Sequence, residues 1–423
     1  MGRSIGRTVL IGAGLMGAAA LVAAAVVSWR FAHYQPAEAD IAPDPQAQAY
    51  FMDDYASARQ AFLAQGDALA QRLNGVERFA IAVDSPRGIK DLYVDGLYVP
   101  AQSSPQRLLV LSAATHGIEG PAGSAVMRMF MAEFMQDELL AQTGVLFLHA
   151  LNPYGFAQQR RVTEGNVDLN RNAGTNNALY QTQNAGYPVV HPLINPAAPA
   201  DTQSWSHRLF LLRALGQVAR HGMPVLRQAV LQGQYSTPQG IYYGGQALEP
   251  QLAALAPRLR ALLNQYPLSM SIDLHTGYGE RGKLHIFLNP PEDPHVRDAL
   301  QAVFTGHTID WGSGQDFYTV TGDVTSWIGT LRQGGAHLPA VFEYGTMNSQ
   351  TTIGAIKSLH ISVLENQGVQ HGWASDDERV RIQRDYREMF NPSSSVWRTQ
   401  VIARSRTLLR DVLAQLPQVQ VQP

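Results

Sequence analysis

The chain predicts an α/β layered domain with a largely parallel or mixed sheet. Strand-length apolar runs alternate with stretches of helical spacing. Four of those runs end in polar side chains capable of chemistry. With 423 residues, 45% of them apolar, the chain can bury a sizeable core as one large domain or two ordinary ones.

The N-terminal segment comes first. Arg3 and Arg7 precede Thr8–Trp29, whose only polar breaks are Thr8 and Ser28. About 20 apolar residues span a bilayer as a helix, whereas the apolar core of a cleavable signal is usually ~7–15. The expectation is an uncleaved single-pass anchor. Positive charge before it keeps the N-terminus cytoplasmic. The alternative is a cleaved signal, with a small-residue site at Ala37–Ala39. Phe31–Gln48, with Pro36, Pro43 and Pro45, reads as a linker.

Tyr50–Leu73 has helical spacing and opens the next domain. Arg78–Val83 and Leu92–Val99 read as strands joined through the turn Ser85–Gly88. Leu108–Leu111 is a buried strand, followed by a helix over Gly123–Met135. Further strands are expected at Gly144–Leu151, Leu268–Leu274, Leu284–Leu288 and Pro339–Glu343. Helical patterns recur at Ser206–Ala219, Leu248–Leu263, Glu378–Phe390 and Val396–Leu416. No internal repeat interrupts them.

Composition narrows the function classes. Thirty-two basic and 34 acidic residues, without a Lys/Arg run, give no footprint for nucleic acid. There are no cysteines, so disulfides and thiolate metal sites are excluded. Histidines and carboxylates remain as zinc ligands.

The strand ends supply such ligands. Leu108–Leu111 leads to His116 and Glu119; Gly144–Leu151 leads to Asn152 and then Arg161, Asn170 and Arg171. Leu268–Leu274 leads to His275, and Pro339–Phe342 to Glu343. If these strands are parallel, all these groups share one rim, where open α/β sheets bind ligands. His116, Glu119 and His275 would form a two-histidine, one-carboxylate set for one zinc ion, leaving a position open for chemistry. Glu343 would be the general base. Arg161, Arg160 and Arg171 are candidates for stabilising an oxyanion or holding a substrate carboxylate. His149 and His285 lie inside apolar strands and read as core histidines.

The ordered set His116-x-x-Glu119, Asn152–Phe156, Arg161, Val167–Asn172, Asp273–His275 and Glu343 resembles the zinc carboxypeptidase superfamily. Within it the chain is most similar to a bacterial branch known as a domain of unknown function. The resemblance spans about residues 50–370. It implies a mixed, mostly parallel eight-stranded sheet between helices. It implies one zinc ion on His116, Glu119 and His275. Asn170 and Arg171 would hold a substrate carboxylate, Arg161 (or Arg160) the oxyanion, and Glu343 would be the base. A Tyr-x3-Gly-x4-Trp pattern places the family's mobile substrate-covering tyrosine at Tyr318, with Gly322 and Trp327.

There are departures. Ser326 stands where the family usually has Asp. Asp273–Gly277 (DLHTG) is closer to the superfamily's acyl-amino-acid deacylases. Gln234–Gly245, rich in Tyr and Gly, reads either as a loop lining the cleft or as a surface hairpin. Asp273 and Asp168 are candidates for orienting the site.

The resulting expectation is a metallocarboxypeptidase-type hydrolase acting on a peptide or an acyl amino acid. An anchor over residues 1–29, a linker over 30–49 and a catalytic domain over 50–420 would place that domain in the periplasm, tethered to the inner membrane. The alternatives are secretion after signal cleavage, an N-acyl amino acid deacylase of the aspartoacylase or succinylglutamate desuccinylase type, and a zinc- or peptide-binding module without turnover.

Overall fold

The computed structural model describes residues 22, 24–312 and 320–419. Its centre is an eight-stranded sheet of order β1-β2-β4-β3-β5-β8-β6-β7. The strands are β1 (Glu77–Ala82), β2 (Tyr93–Val99), β3 (Arg107–Ala113), β4 (Thr143–His149), β5 (Leu268–Gly277), β6 (Leu284–Leu288), β7 (Ile309–Trp311) and β8 (Ala336–Gly345). β4, β3, β5 and β8 run parallel; β1–β2, β2–β4 and β6–β8 are antiparallel. The mixed, mostly parallel sheet between helices is thus the architecture observed.

The continuous apolar runs follow from burial on both faces of the sheet. Successive side chains of a strand point to opposite faces. Leu109 and Leu111 join a core with Phe62, Phe130 and Trp397, from the helices Tyr55–Arg72, Gly120–Glu133 and Ser395–Gln415. Leu108 and Val110 join the other core with Leu255 and Leu259 of helix Pro250–Leu263 and Trp327 of helix Val324–Thr330.

Several boundaries differ from expectation for local reasons. The helix expected from Tyr50 is two helices, Pro45–Tyr50 and Tyr55–Arg72. Asp54 caps the second, its carboxylate accepting from Ser57 N–H at 2.9 Å. Helix Thr352–His371, 20 residues long, is not legible in the sequence. It buries residues on several sides, among them Ile356, His360, Val363 and Asn366, so no single apolar stripe marks it.

Residues 24–32 are helical, and Phe31 is buried, stacked on His360 at 5.7 Å. The following stretch, expected to be a linker, runs along the domain. Tyr34 Oη donates to the Met347 carbonyl at 3.2 Å, and Asp44 N–H donates to Thr399 Oγ1 at 2.8 Å. Among the described residues no helix is long and apolar enough to cross a membrane. The expected anchor, Thr8–Trp29, lies for the most part outside the described residues.

Candidate metal centre

The chain leaves β3 toward β4 on one side, while β5 and β8 lie on the other. That change of direction opens a crevice at the carboxyl ends of β3 and β5. Ala114, just past β3, sits at φ 57°, which turns the chain so that His116 faces the crevice. A short 3₁₀ turn, Gly117–Glu119, follows and brings Glu119 beside it. Gly117 is required there: a Cβ would lie 2.1 Å from the Gly155 carbonyl carbon and the Phe156 nitrogen.

His116, Glu119 and His275 each offer one ligand atom, and these atoms lie within 4.8 Å of one another. His116 Nδ1 is 2.9 Å from Glu119 Oε1 and 3.0 Å from His275 Nδ1; His275 Nδ1 is 2.9 Å from Glu119 Oε2. Behind each imidazole stands a carboxylate. His116 Nε2–H donates to Asp168 Oδ1 at 3.0 Å, and His275 Nε2–H donates to Asp273 Oδ2 at 2.6 Å. Asp273 is itself held by the hydroxyls of Ser112 (2.7 Å) and Thr115 (2.8 Å). With Nε2 protonated, both Nδ1 atoms direct lone pairs at one point, together with a carboxylate. That donor set fits a metal ion, and two imidazoles with one carboxylate suit zinc.

The electrostatics agree. Burial alone would raise Glu119, but positive charge at His116 and His275 holds it down at about 2. Burial also opposes the charged form of His275, yet Asp273 and Glu119 hold it well above the usual imidazole range. The positive charge these carboxylates demand comes from protons on the imidazoles or from a cation that displaces them.

Glu343 lies on β8 directly opposite His275 of β5 and lines the same cleft. Burial pushes its carboxyl up and Glu119 pushes it the same way; it stands at about 7 despite His275, the Tyr278 N–H and Arg161. The Tyr278 N–H donates to Glu343 Oε1 at 2.9 Å, fixing the side chain.

The structure separates the two candidate arginines. Arg161 donates from Nε to Asp168 Oδ2 at 3.0 Å, lies 3.5 Å from Glu119 and lines the cleft. Arg160 points elsewhere, into a buried pair with Glu365 at 2.9 Å. Arg171 is buried, its Nε and Nη2 donating to the Leu231 carbonyl at 3.0 and 2.6 Å and its Nη1 to the Asn170 carbonyl at 2.9 Å. Asn170 and Arg171 both line the cleft. Tyr318 lies outside the described residues.

Asp168, a candidate for orienting the site, holds both His116 and Arg161, and its backbone carbonyl accepts from the Arg171 N–H at 2.9 Å. Asp323 stands near the departure at Ser326, capping helix Val324–Thr330 through the Ser326 N–H at 2.8 Å. His149 and His285 are not ligands. His149 stacks on Phe62 at 4.7 Å, and His285 pairs with Asp310 at 2.8 Å.

The sequence reading did not single out Tyr242. Its ring lies 5.2 Å from the Arg161 guanidinium and 5.8 Å from that of Arg171, and it lines the cleft. The Tyr/Gly-rich stretch Gln234–Gly245 therefore does face the site. The signal was composition alone, which does not tell which tyrosine points inward.

Fold and site together define an α/β protein with a histidine–carboxylate group able to hold a metal ion. A family model described as "protein of unknown function (DUF2817)" matches residues 51–404, and the chain belongs to that family. No curated protein matches the chain.

Solved structures similar to it include metallopeptidases and carboxypeptidases. One, provisionally described as a metallopeptidase from Shewanella denitrificans, is 14% identical, with 76% of this chain and 91% of that chain covered and a TM-score of 0.36. Bovine thrombin-activatable fibrinolysis inhibitor, solved with tick carboxypeptidase inhibitor, is 14% identical over 76% of this chain and 99% of that one, with a TM-score of 0.42. Carboxypeptidase A from Helicoverpa armigera is 12% identical over 75% and 73%, with a TM-score of 0.37.

Proposed function

We propose that the protein is a zinc-dependent hydrolase that cleaves an amide bond next to a free carboxylate. One observation carries this reading: the lone pairs of His116, Glu119 and His275 converge in a cleft that also holds a separate carboxylate, Glu343. A zinc ion held by those three residues would supply Lewis acidity at the scissile carbonyl. Glu343 takes the proton of the attacking water and passes it to the leaving amine. Arg161 sets a fixed positive charge beside the developing oxyanion, braced by Asp168. Asn170 and Arg171 hold the substrate carboxylate.

The test is metal content and hydrolysis measured together. The purified protein is expected to carry about one zinc per chain and to release product from a panel of peptides and N-acyl amino acids. His116→Ala is expected to lose both. Equal zinc in the two proteins would overturn the metal assignment, and full activity of Glu343→Gln would overturn the mechanism.

The apolar segment Thr8–Trp29 supports a single-pass location at the inner membrane with the catalytic domain in the periplasm. Recovery of the full chain in the soluble fraction at low salt would overturn that location.

A further inference from the structure

The cleft does not end at the metal centre. It continues into a lobe built by three helices, Tyr187–Ile194, Phe210–His221 and Met223–Leu231, set against helix Thr352–His371. Of the eleven side chains that the three helices contribute to the lining, nine are apolar; only Gln217 and Arg227 are polar. Helix Thr352–His371 adds Ala355, Ile356 and Leu359 with Ser358 and Ser362, so the wall is predominantly apolar and suits a hydrocarbon occupant.

The depth of the lobe can be read from one helix. Arg171 donates to the carbonyl of Leu231, which anchors the C-terminal end of Met223–Leu231 beside the metal centre. Both Leu231 and Met223, at opposite ends of this helix, line the cavity. At 1.5 Å rise per residue they are about 12 Å apart. The wall along this helix is therefore longer than a single amino-acid side chain, leaving room for an occupant that extends beyond the terminal residue of a peptide.

A second observation concerns the outside of the lobe. Among the described residues eleven large apolar side chains are exposed. Three of them (Val189, Leu212 and Val225) sit on the lobe's helices, Trp205 and Leu209 lie just before helix Phe210–His221, and four (Val22, Val26, Val27 and Trp29) sit just before Phe31. Phe31 is itself packed into the lobe's core with Tyr187, Val190 and Phe210. Nine of the eleven thus belong to the lobe's helices or to the segments of chain that lead into it, with Trp205 74% exposed. Such a patch marks a contact surface, and exposed Trp suits the membrane–water interface.

From these two observations we propose that the substrate is a long-chain N-acyl amino acid drawn from a lipid surface, with its hydrocarbon chain in the lobe. The proposal rests on the amide-hydrolase reading of the same site. Hydrolysis breaks the amide C–N bond. The water oxygen bonds to the acyl carbon, one water proton goes by way of Glu343 to the nitrogen, and a fatty acid and a free amino acid leave.

Binding to the full chain carrying Glu343→Gln tests the lobe without turnover. The ligands are N-acylalanines with acyl chains of two to fourteen carbons, each below its aggregation concentration, measured by calorimetry. Affinity is expected to rise about fourfold per added methylene until the lobe is full. Ala214→Phe, which narrows the lobe, is expected to remove most of that gain. The chain-length series decides the matter alone if that variant does not fold. Lauroylalanine binding no tighter than acetylalanine overturns the proposal, as does tighter binding of dipeptides ending in Phe or Trp. If lauroylalanine binds tightly but the zinc-loaded wild-type protein hydrolyses neither N-acyl amino acids nor peptides, the lobe stands and the hydrolase reading falls.

Discussion

Replacing Glu343 by glutamine keeps its size and its acceptor for the Tyr278 N–H but removes the group that takes a proton. Activity is expected to fall by about 10² to 10⁴-fold, the usual contribution of a general base. Zinc content is expected to stay the same, because the three converging donors are His116, Glu119 and His275. Asp273 predicts the opposite split. It orients His275 from behind, at 2.6 Å, and is itself fixed by Ser112 and Thr115. Asp273→Asn is expected to weaken metal affinity about 10 to 100-fold, read by chelator competition. Activity at saturating zinc should then recover most of the way. If saturating zinc does not restore it, Asp273 acts in some way other than through the metal.

At the scale of elements, the turn after β3 is the fragile part. Gly117 brings the His116–Glu119 turn against Gly155 and Phe156 without room for a methyl group. Gly117→Ala must push the two turns apart, at a cost of about 1–3 kcal/mol, and it moves two ligands at once. Loss of zinc with only a modest drop in Tm is the expected result. Unchanged zinc affinity would show that the turn relaxes without moving its ligands. The same turn shows why much of the site was legible in the sequence. His275 and Glu343 come directly after the apolar runs of β5 and β8, His116 comes five residues after that of β3, and parallel pairing of the three strands puts these ends on one rim. What was hidden depends on long-range packing. Nothing local tells that Arg160 turns to Glu365, 205 positions away, while Arg161 turns to Asp168, or that Tyr242 fits beside the two cleft arginines. Helix Thr352–His371 escaped for a related reason: packed on several sides, it buries polar residues such as His360, Glu365 and Asn366 along with its apolar ones, so no apolar stripe marks it. β7, at three residues, is too short to show a period.

The molecule as a whole buries histidines that have nothing to do with metal, and these set its response to acid. Burial pushes His149 down to about 3, helped by Arg59. Burial also lowers His207 and takes His360 well below the usual range, with His207 Nδ1 3.1 Å from His360 Nε2. In each case the unfolded chain takes up a proton near pH 6.5 that the native state refuses. Stability is therefore fully present above about 6.5 and is lost as pH falls below it, for His149 down to about 3. For His149 alone the loss at pH 5 is about 2 kcal/mol, a large share of the ~5–15 kcal/mol that holds a typical domain together. His275, held high by Asp273 and Glu119, works in the other direction, so a single melting curve mixes the two signs. A paired comparison separates them. His149 stacks on Phe62 at an interplanar angle of 16° and its Nδ1 has no hydrogen-bond partner; phenylalanine keeps the stacking and forfeits only the Nε2 contact with Ser124 Oγ at 3.1 Å, a loss that lowers stability at both pH values alike. His149→Phe should shrink the drop in unfolding free energy between pH 7 and pH 5 by about 2 kcal/mol relative to the wild type, with metal and salt held constant. Parallel stability curves for the two proteins across that range would show that His149 takes up its proton in the native state, against the burial described here.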